Sequence, residues 1–239
     1  MDDELTAARY VERLTAMRSD EELVKIQRYF KTGEGDYGAG DVFLGVRMGD
    51  VFALSKELID LPPDQIELLL ESELHEVRAG GCSVMAKQAA RKKTPEARRA
   101  ELYELYLRRL DRINNWDLVD LAARDVIGAY VIDRPRNVLY ELARSEDQWA
   151  RRTAIYATHA FIKIGQLDDT FALAELLLDD PEDLMHKAVG GWLREAGKHD
   201  RPRLLAFLDE HAPAMPRTTL RYAIEHLDAD QKRRYRAQA

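Results

Sequence analysis

Apolar residues recur at three- and four-residue intervals along most of this chain, the spacing that puts one stripe on one face of a helix. Over positions 98–113 the stripe is Leu102, Leu105, Tyr106, Leu110 and Ile113. Val138, Leu139 and Leu142, then Trp149, Ile155 and Tyr156, continue it in shorter runs. Breaks are predicted at Pro62-Pro63, Pro95, Pro135, Pro181, Pro202, Pro213 and Pro216, since proline favours helix starts and interhelix turns. Strand-like alternation is scarce. The exception to helix is positions 31–46, whose five glycines predict an ordered or mobile loop. The pattern predicts an all-α protein.

A weak internal repeat refines that prediction. Ser145-Glu146-Asp147-Gln148-Trp149-Ala150-Arg151-Arg152-Thr153-Ala154 matches, 35 residues on, Asp180-Pro181-Glu182-Asp183-Leu184-Met185-His186-Lys187-Ala188-Val189. Ser72-Glu73-Leu74-His75-Glu76-Val77-Arg78-Ala79-Gly80-Gly81 fits the same frame. Each copy has an acidic start, an apolar residue, a basic residue and then small ones. Early acids suit the helix dipole, and small residues let neighbouring helices approach. Repeating helix pairs of this length predict a HEAT-like α-solenoid, read as a single domain over 1–239. The recurring basic residue, taken as Arg78, Arg152 and Lys187, is expected to line one surface, concave in a solenoid.

Composition narrows the setting. None of the 239 residues falls in an apolar run approaching a membrane span, and the acidic start Met1-Asp2-Asp3-Glu4 is unlike a signal peptide. The lone Cys82 excludes an internal disulfide and is expected to be buried and inert, so a reduced, cytoplasmic setting is the default. The net charge is −7, but it is unevenly spread. Residues 1–76 hold 8 basic and 18 acidic side chains, whereas 77–112 hold 10 basic and 4 acidic. A basic middle in an acidic protein is compatible with a local anion-binding surface or with a solvated helical face.

Other chemistry is sparse. The six histidines have no close metal spacing and no second cysteine supports zinc, so no metal or cofactor is expected. His159 and His186 read as ordinary helix residues, and Tyr103 and Tyr106 as core. Gly33-Glu34-Gly35 and Gly38-Ala39-Gly40 are not followed by the Gly-Lys-Ser/Thr of a P-loop.

The most informative segment is Asn114-Asn115-Trp116-Asp117-Leu118-Val119-Asp120. It reads as a helix start with Trp116 and Asp120 four residues apart, hence on one face. An indole and a carboxylate looking out together make a poor core and a plausible site.

With Arg28-Tyr29-Phe30-Lys31, Phe43-Leu44-Gly45-Val46, Trp149-Ala150-Arg151-Arg152-Thr153-Ala154, the His186-Lys187-Ala188-Val189-Gly190-Gly191-Trp192-Leu193-Arg194-Glu195 stretch and Met215-Pro216-Arg217-Thr218-Thr219-Leu220-Arg221-Tyr222-Ala223, this segment resembles the AlkD-like DNA alkylation-repair proteins. Those are glycosylases built from HEAT-like repeats, and the resemblance runs from about Ile26 to Tyr235.

The resemblance implies excision of purines made cationic by N3 or N7 alkylation from duplex DNA held in a basic groove. It implies Asp120 as the catalytic aspartate and Trp116 as an aromatic packed against the lesion's deoxyribose. Tyr29 would contact DNA near the lesion, and Arg152, Lys187 and Arg194 the phosphates. The family works on the sugar while the lesion stays stacked, an exception to base flipping, so no deep base pocket is expected.

One departure stands out. The family commonly carries a second tryptophan three residues before the arginine aligned with Arg194. Here that position is Gly191, and Trp192 follows it, about 100° further round the helix. Trp192 is carried as a DNA-contacting residue that a local adjustment brings to the sugar, with packing between repeats as the alternative.

The expectation is therefore a monofunctional alkylpurine DNA glycosylase, cytoplasmic and nucleoid-associated when on DNA, monomeric, without membrane or metal. Two readings stay open beside it: a non-catalytic DNA- or lesion-binding module, and a protein-binding helical scaffold.

Overall fold

The structure, a computed structural model, describes residues 5–33 and 37–238. The acidic start at 1–4 and positions 34–36 of the glycine-rich loop lie outside the described residues. Among the described residues the chain is helical, with one isolated bridge between Val42 and Leu74 and no strand. It divides at Tyr130 and Val131 into two compact units.

The N-terminal unit contains α1 (Ala7–Thr15), α2 (Asp20–Phe30), α3 (Met48–Glu57), α4 (Pro63–Leu70), α5 (His75–Ala90), α6 (Glu96–Arg108) and α7 (Trp116–Ala122). Local signals set the starts: the Thr6, Ser19 and Asn115 side chains accept backbone N–H bonds, and Pro63 opens α4. The stripe predicted over 98–113 ends early, because α6 stops at Arg108 and a 3-10 turn (Leu110–Arg112) follows. A π-helical segment (Ala123–Gly128) runs on from α7.

Helix α5 is the core of this unit, buried on nearly every side by α3, α4, α7 and the π-helical segment. Its small residues permit that crowding. A Cβ at Gly80 would lie 2.3 Å from the Tyr10 hydroxyl, which bonds the Ser55 hydroxyl at 2.8 Å. Cys82 is buried as expected, and burial pushes its thiol upward.

The charge blocks of the sequence meet inside this unit. Arg91 pairs with Asp60 at 2.6 Å, Arg108 with Glu67 at 2.7 Å and Arg109 with Glu71 at 2.7 Å. Arg112 donates to the carbonyls of Leu70, Glu71 and Ser72. Four of the ten basic side chains, Arg78, Arg91, Arg108 and Arg109, thus serve as counter-charges to the acidic first third.

The C-terminal unit contains α8 (Asn137–Ala143), α9 (Gln148–Ala157), α10 (His159–Ile162), α11 (Asp168–Leu176), α12 (Asp183–His199), α13 (Arg201–His211), α14 (Arg217–Ala223) and α15 (Ala229–Arg236). Helices α8 and α9 pack as one pair and α11 and α12 as the next; α9 then packs on α12, and α12 on α14. Second helices stacked on second helices are what HEAT-like repeats require. A Cβ at Gly190 would lie 2.3 Å from the Thr219 carbonyl oxygen, so α12 and α14 meet almost backbone to backbone.

The sequence repeat is structural, with its basic residue one place earlier than predicted in two copies. The copies start just before α5, α9 and α12. Arg78 donates to the Ser72 carbonyl at 3.0 Å, Arg151 to the Ser145 carbonyl at 3.0 Å, and His186 bonds the Asp180 carbonyl at 2.5 Å. All three reach back six residues to the first residue of their copy. These side chains satisfy carbonyls of the preceding turn, and Arg78 is only 2% exposed.

Candidate functional site

Helix α7 is short, and both of its ends bear on the site. Asn115 caps the start, with its side-chain oxygen 2.7 Å from the Trp116 amide nitrogen, and Asp120 sits one turn on, just before the π-helical segment. Trp116 and Asp120 open onto a cleft of about 450 Å³, whose lining also includes Lys25, Tyr29, Phe30 and Phe52. That volume lies within the roughly 300–1,000 Å³ of small-molecule sites. Tyr29, 65% exposed, meets the Trp116 ring edge-on at 5.9 Å, and Phe30 stacks on it at 5.5 Å. The structure thus brings Tyr29, Trp116 and Asp120 together.

Behind the cleft lies a polar network absent from the sequence reading. His75, at the start of α5, is buried between Phe30 and Phe43, with ring centroids at 4.8 and 4.6 Å. Its Nε2 is 2.8 Å from an Asp117 carboxylate oxygen, and its Nδ1 is 3.4 Å from Asp41. Asp41 also accepts from Arg78 at 2.5 Å and from Asn115 at 2.7 Å. Burial pushes the imidazole downward, but the bonds to Asp117 and Asp41 outweigh it and hold His75 up at about 9. Burial likewise works against the Asp41 charge, yet His75, Asn115 and Arg78 keep that carboxyl below its ordinary value.

The neighbouring Glu76 completes the support. Its carboxylate accepts the backbone N–H groups of Leu44 at 2.8 Å, Gly45 at 2.8 Å and Val46 at 3.2 Å. The C-terminal part of the glycine-rich loop is therefore strapped to α5. Asp117, between Trp116 and Asp120 in sequence, ties α7 to the same helix.

Lys25 on the cleft wall is held by Glu21 at 2.7 Å and Glu22 at 2.9 Å, and these bonds push its amine upward. It stays charged near neutrality and is a poor nucleophile.

The C-terminal unit carries a second cleft, of about 340 Å³. Lys187, Gly191 and Arg194 on α12 line it, with Tyr156, His159 and Trp192. The Trp192 ring packs edge-on to Tyr156 at 5.0 Å and over His159 at 4.6 Å, so it reaches this cleft from its shifted position. A Cβ at Gly191 would meet nothing within 4 Å, leaving open space at the position where the sequence departs from the expected tryptophan. Lys187 is paired with Asp183 at 2.6 Å, and Arg194 with Glu225 and Glu195.

Arg152 does not share that open surface. It is 5% exposed, donates to the Leu184 carbonyl at 3.0 Å and to the Tyr156 hydroxyl at 2.6 Å, and lies 4.3 Å from the Tyr156 ring. Its helix position faces the next repeat, so it braces an aromatic of the cleft where the sequence reading had it line a surface. Among the described residues no group of histidine, cysteine and carboxylate side chains has a metal-binding arrangement.

Comparison with known proteins bears on these clefts. The family model for DNA alkylation repair enzymes matches residues 10–227. No match is found among curated proteins. The solved structure of a predicted DNA alkylation repair enzyme from Enterococcus faecalis aligns with a TM-score of 0.71 over 89% of this chain and 98% of its own, at 17% identity. At that identity the likeness is one of fold.

Proposed function

Because this chain belongs to the family of DNA alkylation repair enzymes, we propose that it is a monofunctional glycosylase that removes cationic N3- or N7-alkylated purines from duplex DNA. The observation that carries the reading is that Tyr29, Trp116 and Asp120 line one cleft.

The chemistry follows from the substrate's charge. A purine alkylated at N3 or N7 is already positive, so the C1′–N bond breaks with its electron pair going to the base. The base leaves neutral and the sugar is left as an oxocarbenium ion. Little general-acid help is needed. The Asp120 carboxylate stabilises that cation and takes a proton from the water whose oxygen bonds to C1′. The products are free base and an abasic site, and the proton passes from Asp120 to solvent.

The indole of Trp116 presents its π-face to the sugar cation, worth roughly 0.5–2 kcal/mol when desolvated. Tyr29 extends the aromatic wall. Asp117, held by His75, keeps the α7 backbone from rotating, which would carry Trp116 and Asp120 off the cleft. Lys25, held by Glu21 and Glu22, has no part in the proposed hydrolysis.

In the other unit, Lys187 and Arg194 are the cations proposed to meet backbone phosphates, with Trp192 beside them. Arg152 contributes by holding Tyr156 in place. Both cations would exchange a carboxylate for a phosphate on binding. The open position at Gly191 favours a second reading, a DNA-binding relative without turnover, since an expected aromatic is missing there.

Base release from duplex DNA containing 7-methylguanine separates the two. Free 7-methylguanine with an abasic strand supports the glycosylase. Salt-sensitive binding with no release of 7-methylguanine or 3-methyladenine would leave the binding module.

A further inference from the structure

Carboxylates outnumber basic side chains in this protein by 43 to 36, so an arginine without a partner is unusual. Most guanidinium groups here are bonded to a carboxylate or a carbonyl. Among the described residues, the side chains of Arg28, Arg217, Arg221 and Arg236 have no ion pair and no hydrogen bond. Three of these four line the same groove. Arg217, Arg221 and Arg236, with Leu220, enclose a space of about 400 Å³ in the C-terminal unit.

Their placement follows from the helices that bear them. Arg217 and Arg221 are four residues apart on α14 and so share a face, and Arg236 lies in the last turn of α15. All three are exposed, and Arg221 lies 5.2 Å from the ring of Tyr222. Neighbours on α15 are treated differently: Arg233 is paired with Asp230, and Arg234 with Asp209 at 2.7 Å. Carboxylates are therefore within reach of α15, yet they leave this groove open.

Three like charges around one groove repel each other, and a bound anion removes that cost. The guanidinium fork matches phosphate oxygens bidentately, with five N–H donors per side chain. The mount is rigid, because α14 is seated on α12 at Gly190 against the Thr219 carbonyl and the Tyr222 Cβ. Tyr222, the sequence neighbour of Arg221 on α14, lines the Lys187–Arg194 cleft.

We propose that the Arg217–Arg221–Arg236 groove is a DNA-backbone site, which holds phosphodiesters without regard to base sequence or lesion. This rests on the reading of the protein as a DNA-binding repair enzyme. It adds residues that contribute affinity and take no part in bond breaking.

The test uses the full chain and a fluorescent undamaged 21-mer duplex, with anisotropy titrations from about 50 to 200 mM KCl. Three neutralised phosphates contribute roughly 0.9 each to the slope of log K against log salt. The Arg217→Gln/Arg221→Gln/Arg236→Gln triple variant is expected to lose about 2.7 from that slope and at least tenfold in affinity at low salt. The loss should be equal on 7-methylguanine duplex, and single-turnover excision at saturating enzyme should stay within about twofold of wild type. The triple lysine variant should keep most of the slope, which guards against a folding defect. Arg233→Gln/Arg234→Gln removes two charges already paired and should leave the slope unchanged.

Wild-type slope and affinity in the glutamine triple variant would overturn the proposal while leaving the glycosylase reading intact. So would an equal loss in the Arg233/Arg234 control, which would make the effect one of net charge. A wild-type protein that binds no DNA would sink the glycosylase reading and this proposal together.

Discussion

Raising the pH from 6 to 8.5 should remove stability from the N-terminal unit through one imidazole. His75 is buried, with Asp117 at 2.8 Å on one nitrogen and Asp41 at 3.4 Å on the other. Its ordinary value near 6.5 is lifted to about 9, because the two carboxylates outweigh the opposing effect of burial. A group whose folded pKa is raised stabilises the fold fully below its unfolded pKa, and that contribution is lost as pH climbs through the folded one. The separation, at about 1.4 kcal/mol per unit, corresponds to about 3 kcal/mol, of which about 2 is lost by pH 8.5. The window stops there because the Cys82 thiol, pushed upward by burial, adds its own dependence once the unfolded thiol ionises. Urea unfolding at pH 6, 7, 8 and 8.5 measures the effect, which should appear as a midpoint falling by roughly 1 M. His75→Gln should lower stability at pH 6 and flatten the profile. If that variant does not fold, Asp117→Asn should fold with a shallower profile, since one carboxylate remains on the ring. A wild-type profile flat across the window, or an unchanged slope in the variant, would refute the assignment.

Other expected outcomes follow from the same geometry. Glu76→Gln replaces a carboxylate that accepts three backbone N–H groups, and should cost about 1.5–3 kcal/mol in urea unfolding and speed hydrogen exchange at Leu44, Gly45 and Val46. Gly190→Ala pushes a methyl to 2.3 Å from the Thr219 carbonyl oxygen and should destabilise the C-terminal unit by roughly 1–3 kcal/mol, whereas Gly191→Ala, facing open space, should be nearly neutral. Trp116→Ala should slow base release by about 2–30-fold under single-turnover conditions, the range given by 0.5–2 kcal/mol of lost cation–π stabilisation.

Much of the fold was legible because it is written locally. The prolines mark helix starts and turns, and the four-residue spacing of Trp116 and Asp120 put both on one cleft. Long-range pairing was not legible. His75 finds Asp117 across 42 residues, and Asp41 finds Asn115 across 74, distances over which no periodicity speaks. A signal was present nonetheless: His75, Glu76 and Arg78 open a helix whose next eight residues are small or apolar, and chargeable residues so placed need buried partners. The charge blocks offered a similar signal, since an acidic first third beside a basic middle suggests mutual pairing as readily as a free anion site. The repeat was found, but its basic position slipped by one in two copies, because Arg151 and Arg152 are adjacent and only the hydrogen bond back to Ser145 separates them.

The most direct test of the central claim is to measure Asp120→Asn against wild type for two quantities on the same 7-methylguanine duplex: the single-turnover rate of base release and the affinity for DNA. Loss of a carboxylate that acts on the sugar cation should lower the rate by at least 10²-fold with affinity within about threefold. Release by Asp120→Asn at the wild-type rate, or a loss of rate that merely follows a loss of binding, would contradict it.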